Sequence, residues 1–177
     1  KQAVFSYLIA PMILPHIVLG MALFRIGLFL DTSEGFALNA TDSLWFYVVA
    51  HTTITIPYAI ITIGASLQTL DRNLEEAAQI LGASYFKTIF FITIPLIKSG
   101  LIGAFIFSFI ISFDEFIVTY FLATFNQTLP IQIYSTLMFQ LEPSIASIST
   151  LMLALTALLT LVLMSRGQLV SFGKIIK

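Results

Sequence analysis

Cysteine is absent from the chain, which excludes disulfide stapling and thiolate metal ligation. Charge is scarce too. Only 10% of the 177 residues are charged against 58% apolar, and the mean hydropathy is +1.00. A water-soluble domain of that composition would lack the polar surface to cover its core, so the chain belongs in a bilayer. The net charge of −1 offers no electrostatic footprint for nucleic acid. Missing as well are the H-E-x-x-H helix, the G-x-S-x-G turn and the G-x-x-x-x-G-K phosphate loop. Metalloprotease, hydrolase and ATPase assignments therefore have no residues to carry them, and no catalytic residue or metal site is expected. No internal repeat, low-complexity tract or linker divides the chain, which reads as one domain over residues 1–177.

What is present in quantity is apolar sequence. Crossing the hydrocarbon layer takes about 20 apolar residues, and four stretches qualify. The first, 3–30, is interrupted by Pro11, Pro15, His16 and Arg25. The second, 44–67, carries His51 and Pro57. The third, 96–113, has Lys98 near its start, and the fourth, 143–165, contains no charge. The stretch from Phe116 to Phe125 is apolar but short, which predicts an interfacial or re-entrant segment tucked against the bundle, with a fifth span as the alternative. The expected fold is an all-α polytopic membrane bundle. The seventeen Phe read as lipid-facing or packing residues.

The basic residues set the orientation, because Lys and Arg are retained on the cytoplasmic side. Arg72, Lys87 and Lys98 flank the segment 68–95, and Arg166, Lys174 and Lys177 occupy the tail. Both segments, with Lys1, are expected in the cytoplasm. The loops from Asp31 to Ser43 and from Asp114 to Glu142 hold no Lys or Arg and are expected outside. Arg25 alone departs from this pattern, and its nearness to Asp31 and Glu34 suits an interfacial residue. Lys1 opens the chain without an initiator Met or signal-peptide architecture, so a missing natural beginning is expected.

The loop 68–95 is the most informative segment. Asn73 followed by Glu76 has capping-box spacing, which predicts a helix starting at Asn73. Leu74, Ala77, Ala78 and Leu81 recur at i, i+3, i+4, i+7 as one apolar stripe, with Glu75, Glu76 and Gln79 on other faces. Gly82 is placed to end the helix in the left-handed conformation. Two alanines and a glycine leave a surface that another protein's backbone can approach closely, as in a helix lying in a partner's groove.

Glu76-Ala77-Ala78, then Gly82, then Ile92 and Ile94-Pro95 together resemble the cytoplasmic loop of the inner-membrane permeases of binding-protein-dependent ABC importers, with Ile94 where Leu is usual. The resemblance implies a type I importer permease core with a cytoplasmic coupling helix. The residues implied for docking an ATPase subunit are Asn73, Leu74, Glu76, Ala77, Ala78, Leu81, Gly82 and Pro95. It further implies no cofactor in this chain, since ATP and Mg are held by two cytoplasmic ABC ATPase subunits. The other implied partners are a second permease subunit, related or identical, and an extracytoplasmic solute-binding protein. Family permeases commonly have six spans with this loop between the fourth and fifth, so two spans would lie upstream.

Ser112-Phe113-Asp114-Glu115, Thr128-Leu129-Pro130, Ile133-Tyr134-Ser135 and Pro143 look like the permeases of spermidine/putrescine-type importers. Such relatives often have a Gly-Pro turn where this chain has Ala123-Thr124-Phe125-Asn126-Gln127, so permeases for amino acids or other small solutes stay open. Asp114 and Glu115 are either carboxylates on the cargo path, where ammonium groups need anionic partners, or solvated residues ending a helix. His16 is either a packed polar residue or a pore-lining one. His51 is expected to snorkel to the outer interface. Mid-span prolines suit a gate or packing kinks equally. A secondary transporter or channel, and a passive anchor, are the competing classes; neither accounts for the spacing from Glu76 to Pro95.

Overall fold

A computed structural model describes residues 2–32, 39–41, 43–123, 126–139 and 143–165. Among them the structure is helical throughout, with no strand. The expectations placed on Lys1, Glu34, Thr124, Phe125, Glu142, Arg166, Lys174 and Lys177 lie outside the described residues. The helices are α1 Gln2–Ile13, α2 His16–Thr32, α3 Leu44–Gln68, α4 Arg72–Ile80, α5 Tyr85–Thr88, a π-helical turn Ile89–Thr93, α6 Ile94–Leu96, α7 Lys98–Phe113, α8 Ile117–Leu122, α9 Leu129–Phe139 and α10 Pro143–Ser165. Two of them, α3 and α10, are long and apolar enough to cross a membrane alone, and up to four spans result if each of two bent pairs counts as one.

Two of the predicted spans fall on bent pairs of helices. The first is broken between Ile13 and His16, where α1 and α2 meet at 105°. Pro15 causes this: the residue before a proline is driven out of the helical region, and Pro15 then serves as the start of α2. Its carbonyl accepts from Val18 N–H at 2.9 Å and Leu19 N–H at 3.1 Å. Pro11 and Pro57, by contrast, stay inside α1 and α3. The third stretch is covered by α7, and the helical run Tyr85–Leu96 meets it at 71° between Leu96 and Lys98. Pro95 has no N–H to give and its ring crowds the carbonyl four residues back. The backbone just before it takes the wider π register, with Ile94 N–H bonded to Ile89 O five residues behind.

The chain forms two compact units, residues 1–57 with 109–157 and residues 58–108 with 158–177. In the first, α2, α3 and α8 share a core of Leu19, Leu23, Phe46, Tyr47, Ile54, Val118 and Leu122. Helix α8 realises the predicted tucked segment. At six residues it is far too short to cross, and α9, at eleven, reaches only about 16 Å. The approach of α2 to α8 depends on Gly20, where a Cβ would lie 2.8 Å from Phe121 Cδ2 and 3.1 Å from Val118 Cα. Asp31, at the end of α2, accepts hydrogen bonds from Ala40 N–H, Thr41 N–H and the Thr41 hydroxyl, which ties residues 39–41 back to the helix. That carboxylate therefore serves the loop, while Arg25 is exposed on α2.

In the second unit, α3 and α7 approach through small residues. A Cβ on Gly100 would overlap the Ser66 side chain, and Gly103 and Ala104 are buried beside it. In a bilayer, where no hydrophobic force drives helices together, such close backbone packing does that work. The rings of Tyr58 and Phe107 meet edge to face at 5.6 Å.

Gly20→Val is expected to overpack the α2–α8 contact by about 1–3 kcal/mol and lower the unfolding temperature in detergent by several degrees. Gly64→Ala, at a position with no neighbour within 4 Å, is expected to leave it unchanged or slightly raised. Thermal unfolding of the two purified variants beside the wild type checks both.

Candidate functional site

The docking segment predicted from sequence is a helix, with its start corrected. Asp71, not Asn73, is the N-cap: its backbone is extended and its carboxylate accepts from Asn73 N–H at 3.0 Å. Asn73 and Glu76 lie within the helix rather than at its boundary. An Asp two residues earlier competes successfully for the cap because a charged acceptor also faces the positive end of the helix dipole. The far end matches the expectation for Gly82, whose φ of +89° is left-handed. Gly82 N–H bonds to Gln79 O at 2.9 Å and Ala83 N–H to Ala78 O at 3.0 Å, the paired bonds of a Schellman ending.

The predicted apolar stripe does not pack as a stripe. Ala78 is buried, Glu75 is half-buried and accepts a hydrogen bond from the buried Thr93 hydroxyl, and Leu74, Glu76 and Ala77 are exposed. Ile80 and Leu81 are 85% and 88% exposed. Glu75 was missed as a structural residue; its spacing to Ala78 was the available signal. Its bond attaches α4 to the π-helical turn, so the face carrying Glu76, Ala77, Ile80 and Leu81 is left open. Pro95, on α6, is exposed.

In the first unit the structure brings together His16 and Glu115 and sets Asp114 apart. Glu115 is buried, 6% exposed, and its two oxygens are both engaged. Oε1 accepts from Val118 N–H at 2.8 Å, capping α8, and Oε2 lies 3.0 Å from His16 Nδ1 at the start of α2. His16 is 31% exposed. His51 does not snorkel. Its Nδ1 lies 2.8 Å from Ser112 Oγ at the end of α7, and its Nε2 lies 2.9 Å from Thr119 Oγ1 in α8, a residue with no exposure at all. Inward bonding was illegible from hydropathy because it depends on partners 61 and 68 residues away. Ser112 and Thr119 were the missed partners.

Asp114 is exposed just beyond α7. Desolvation raises its carboxyl from the ordinary aspartate value, so an adjacent cation would relieve a cost already present. Two residues on, Phe116 begins an aromatic group: its ring is 5.0 Å from Tyr134, and Tyr134 is 5.9 Å from Tyr120. Tyr120, Gln127, Ile131, Tyr134 and Ser135 border an open cavity of about 640 Å³. Among the described residues no cluster of His, Asp or Glu is arranged to hold a metal.

Comparison with known proteins bears on both regions. The chain is 29% identical over 169 residues to the putrescine transport system permease protein PotI of Escherichia coli K12, covering 93% of this chain and 59% of that one. It is 31% identical over 167 residues to the spermidine/putrescine transport system permease protein PotC of Haemophilus influenzae, covering 94% and 61%. A probable molybdenum ABC transporter permease protein of Haloferax volcanii is 30% identical over 134 residues, covering 76% and 50%. The chain thus spans less than two thirds of the length of these relatives. Residues 1–170 match one family model, and the chain belongs to the binding-protein-dependent transport system inner membrane components.

Proposed function

We propose that the chain is part of the membrane permease of an ATP-driven importer and forms half of a translocation path for a small organic cation of the polyamine class. The single observation that supports this most is the family match over residues 1–170, reinforced by similarity to relatives named for putrescine and spermidine. Membership in the same family of a molybdenum permease relative keeps a permease for another small solute as the alternative.

In this reading α4 is the coupling helix. Two cytoplasmic ATPase subunits supply the energy, one docking on each of two permease subunits, and a solute-binding protein delivers cargo from outside. Support comes from the open face of α4. Ile80 and Leu81, both more than four-fifths exposed, flank Glu76 and Ala77, and an amphipathic helix offered to a soluble groove is a recurrent docking mode. Closing of the ATPase dimer would draw the α4 helices together and turn the path outward; hydrolysis would reopen it inward. The bond from Glu75 to Thr93 attaches α4 to the helix that bends at Ile97, so a push on α4 is delivered to that helix rather than lost in a loop. The basic residues Arg72, Lys87 and Lys98 around this segment support a cytoplasmic position, with the tail on the same side.

On the cargo side, Asp114 is the carboxylate of the path. Its partial burial without an ion pair among the described residues, and the aromatic group that begins at Phe116, both favour an ammonium group. His16 and Glu115 border the same turn.

Two outcomes follow for the full-length permease. Glu76→Lys and Gly82→Trp are each expected to leave the protein inserted but to abolish copurification of the ATPase subunits in mild detergent; retained association and transport in both would remove the docking role. Asp114→Asn is expected to raise the half-saturating putrescine concentration for uptake in proteoliposomes by about tenfold, the equivalent of about 1.4 kcal/mol of lost attraction. Uptake kinetics indistinguishable from wild type would take Asp114 off the path.

A further inference from the structure

Two adjacent carboxylates at the end of α7 have opposite surroundings. Asp114 is exposed, whereas Glu115 is buried and has both oxygens in use. A carboxylate whose Oε1 holds Val118 N–H and whose Oε2 faces His16 Nδ1 has no oxygen directed at a passing cation. Its partners are also telling. Val118 lies in the first turn of α8 and His16 is the first residue of α2, so one side chain joins the starts of two helices that are 101 residues apart in sequence at their first positions, 16 and 117.

We infer that Glu115 and His16 are positioning residues, a clasp that holds α8 against α2, and that neither touches cargo. The contact requires a proton between Nδ1 and Oε2, since an unprotonated imidazole nitrogen and a carboxylate are both acceptors. Nδ1–H donating to Oε2 satisfies it, and the imidazole faces the carboxylate from the rim of a buried site. The other titratable group facing this turn is His51 on α3, which spends both ring nitrogens on Ser112 and Thr119. Glu115 precedes α8 and Thr119 lies within it. Polar bonds thus anchor α8 on two sides, to α2 through Glu115 and to α3 through Thr119. Gly20 permits the close approach that these bonds require, with Val118 Cα 3.1 Å from where its Cβ would stand. Cutting the clasp should let α8 shift and take the Asp114 turn and the Phe116–Tyr120–Tyr134 rings with it, lowering turnover without weakening cargo capture.

The cargo half of this inference rests on the permease reading above; the clasp itself does not, and the experiment separates them. The full-length permease and its Glu115→Gln, Glu115→Ala, His16→Ala and double-alanine variants are compared by thermal unfolding in detergent. With ATPase and binding protein, they are also compared by putrescine and spermidine uptake in proteoliposomes. Glutamine keeps both bonds, its amide oxygen accepting from Val118 N–H and its amide nitrogen donating to an unprotonated His16 Nδ1. Glu115→Gln is therefore expected to unfold within about 2 °C of wild type, while each alanine variant falls by about 5 °C or more and the double variant falls no further than the worse single. In uptake, Glu115→Ala should lose about tenfold in maximal rate with half-saturation within twofold, and Glu115→Gln should recover most of that rate. The clasp is overturned if the two alanine effects on unfolding simply add. The cargo-free role is overturned if glutamine and alanine both raise the half-saturating concentration by about tenfold, as loss of a charged ligand would require. Absence of polyamine uptake in the wild type would sink the cargo reading, and the unfolding cycle would then decide the clasp alone.

Discussion

A bilayer offers no water to backbone groups, so each interruption of a helix must satisfy its freed N–H and C=O groups from within the protein. Among the described residues this chain interrupts its helices repeatedly, and three of those interruptions are closed in different ways. After α1, the Pro15 carbonyl takes the first amides of α2. Ahead of Pro95, a π turn carries the ladder past the missing N–H, and Ile97 bonds back to Thr93 and forward to Leu101 through the bend. Between α7 and α8 the backbone alone does not suffice. Asp114 N–H still reaches Ile110 O at 3.0 Å, but the Val118 amide has to be taken by a side chain, and Glu115 supplies it. At the other end of α8 the Tyr47 hydroxyl donates to Leu122 O at 3.4 Å and to Asn126 O beyond the helix at 3.0 Å. A six-residue helix with side chains serving both its ends is held by its surroundings rather than by its own propensity.

The same constraint explains where charge is allowed. Burying a carboxylate costs several kcal/mol, a cost reduced when both oxygens are hydrogen-bonded. Glu115 meets that condition and is buried; Asp114 does not and remains exposed. Adjacent residues of like chemistry are thereby divided between structure and surface by geometry alone. A comparable division is made in α4, where Glu75 turns inward to Thr93 and Glu76 outward.

Much of this was legible in sequence where a single local rule applied. Length and apolarity marked α3 and α10. Gly82 was placed correctly because only a glycine tolerates that φ without strain. The spacing of Glu76, Gly82 and Pro95 carried the family. The failures share one cause, which is that periodicity reports local geometry and not the partner. The helix of the docking segment was begun at Asn73 because Glu76 completed a capping box, yet the nearer Asp71 won the amide. His51 was read as snorkelling since nothing local needed it, while Ser112 and Thr119 wait for it across the fold. The interruption of the first span at Pro15 is legible in sequence but its 105° size is not, because hydropathy averages over a bend as readily as over a straight helix.

These features also weigh between the competing classes. A passive anchor needs apolar spans but gains nothing from a buried Glu and two histidines engaged by hydroxyls and a carboxylate, each of which costs desolvation. A secondary transporter could use all of those, since polar groups within broken helices are its ordinary means. It has no use for α4, a nine-residue helix capped at both ends, fastened by Glu75, and presenting Ile80 and Leu81 to water. Exposed side chains of that size on a rigid helix are tolerated at a surface that is covered in the assembly. The importer permease proposed above makes use of both features, the polar joint in one unit and the fastened, open helix in the other.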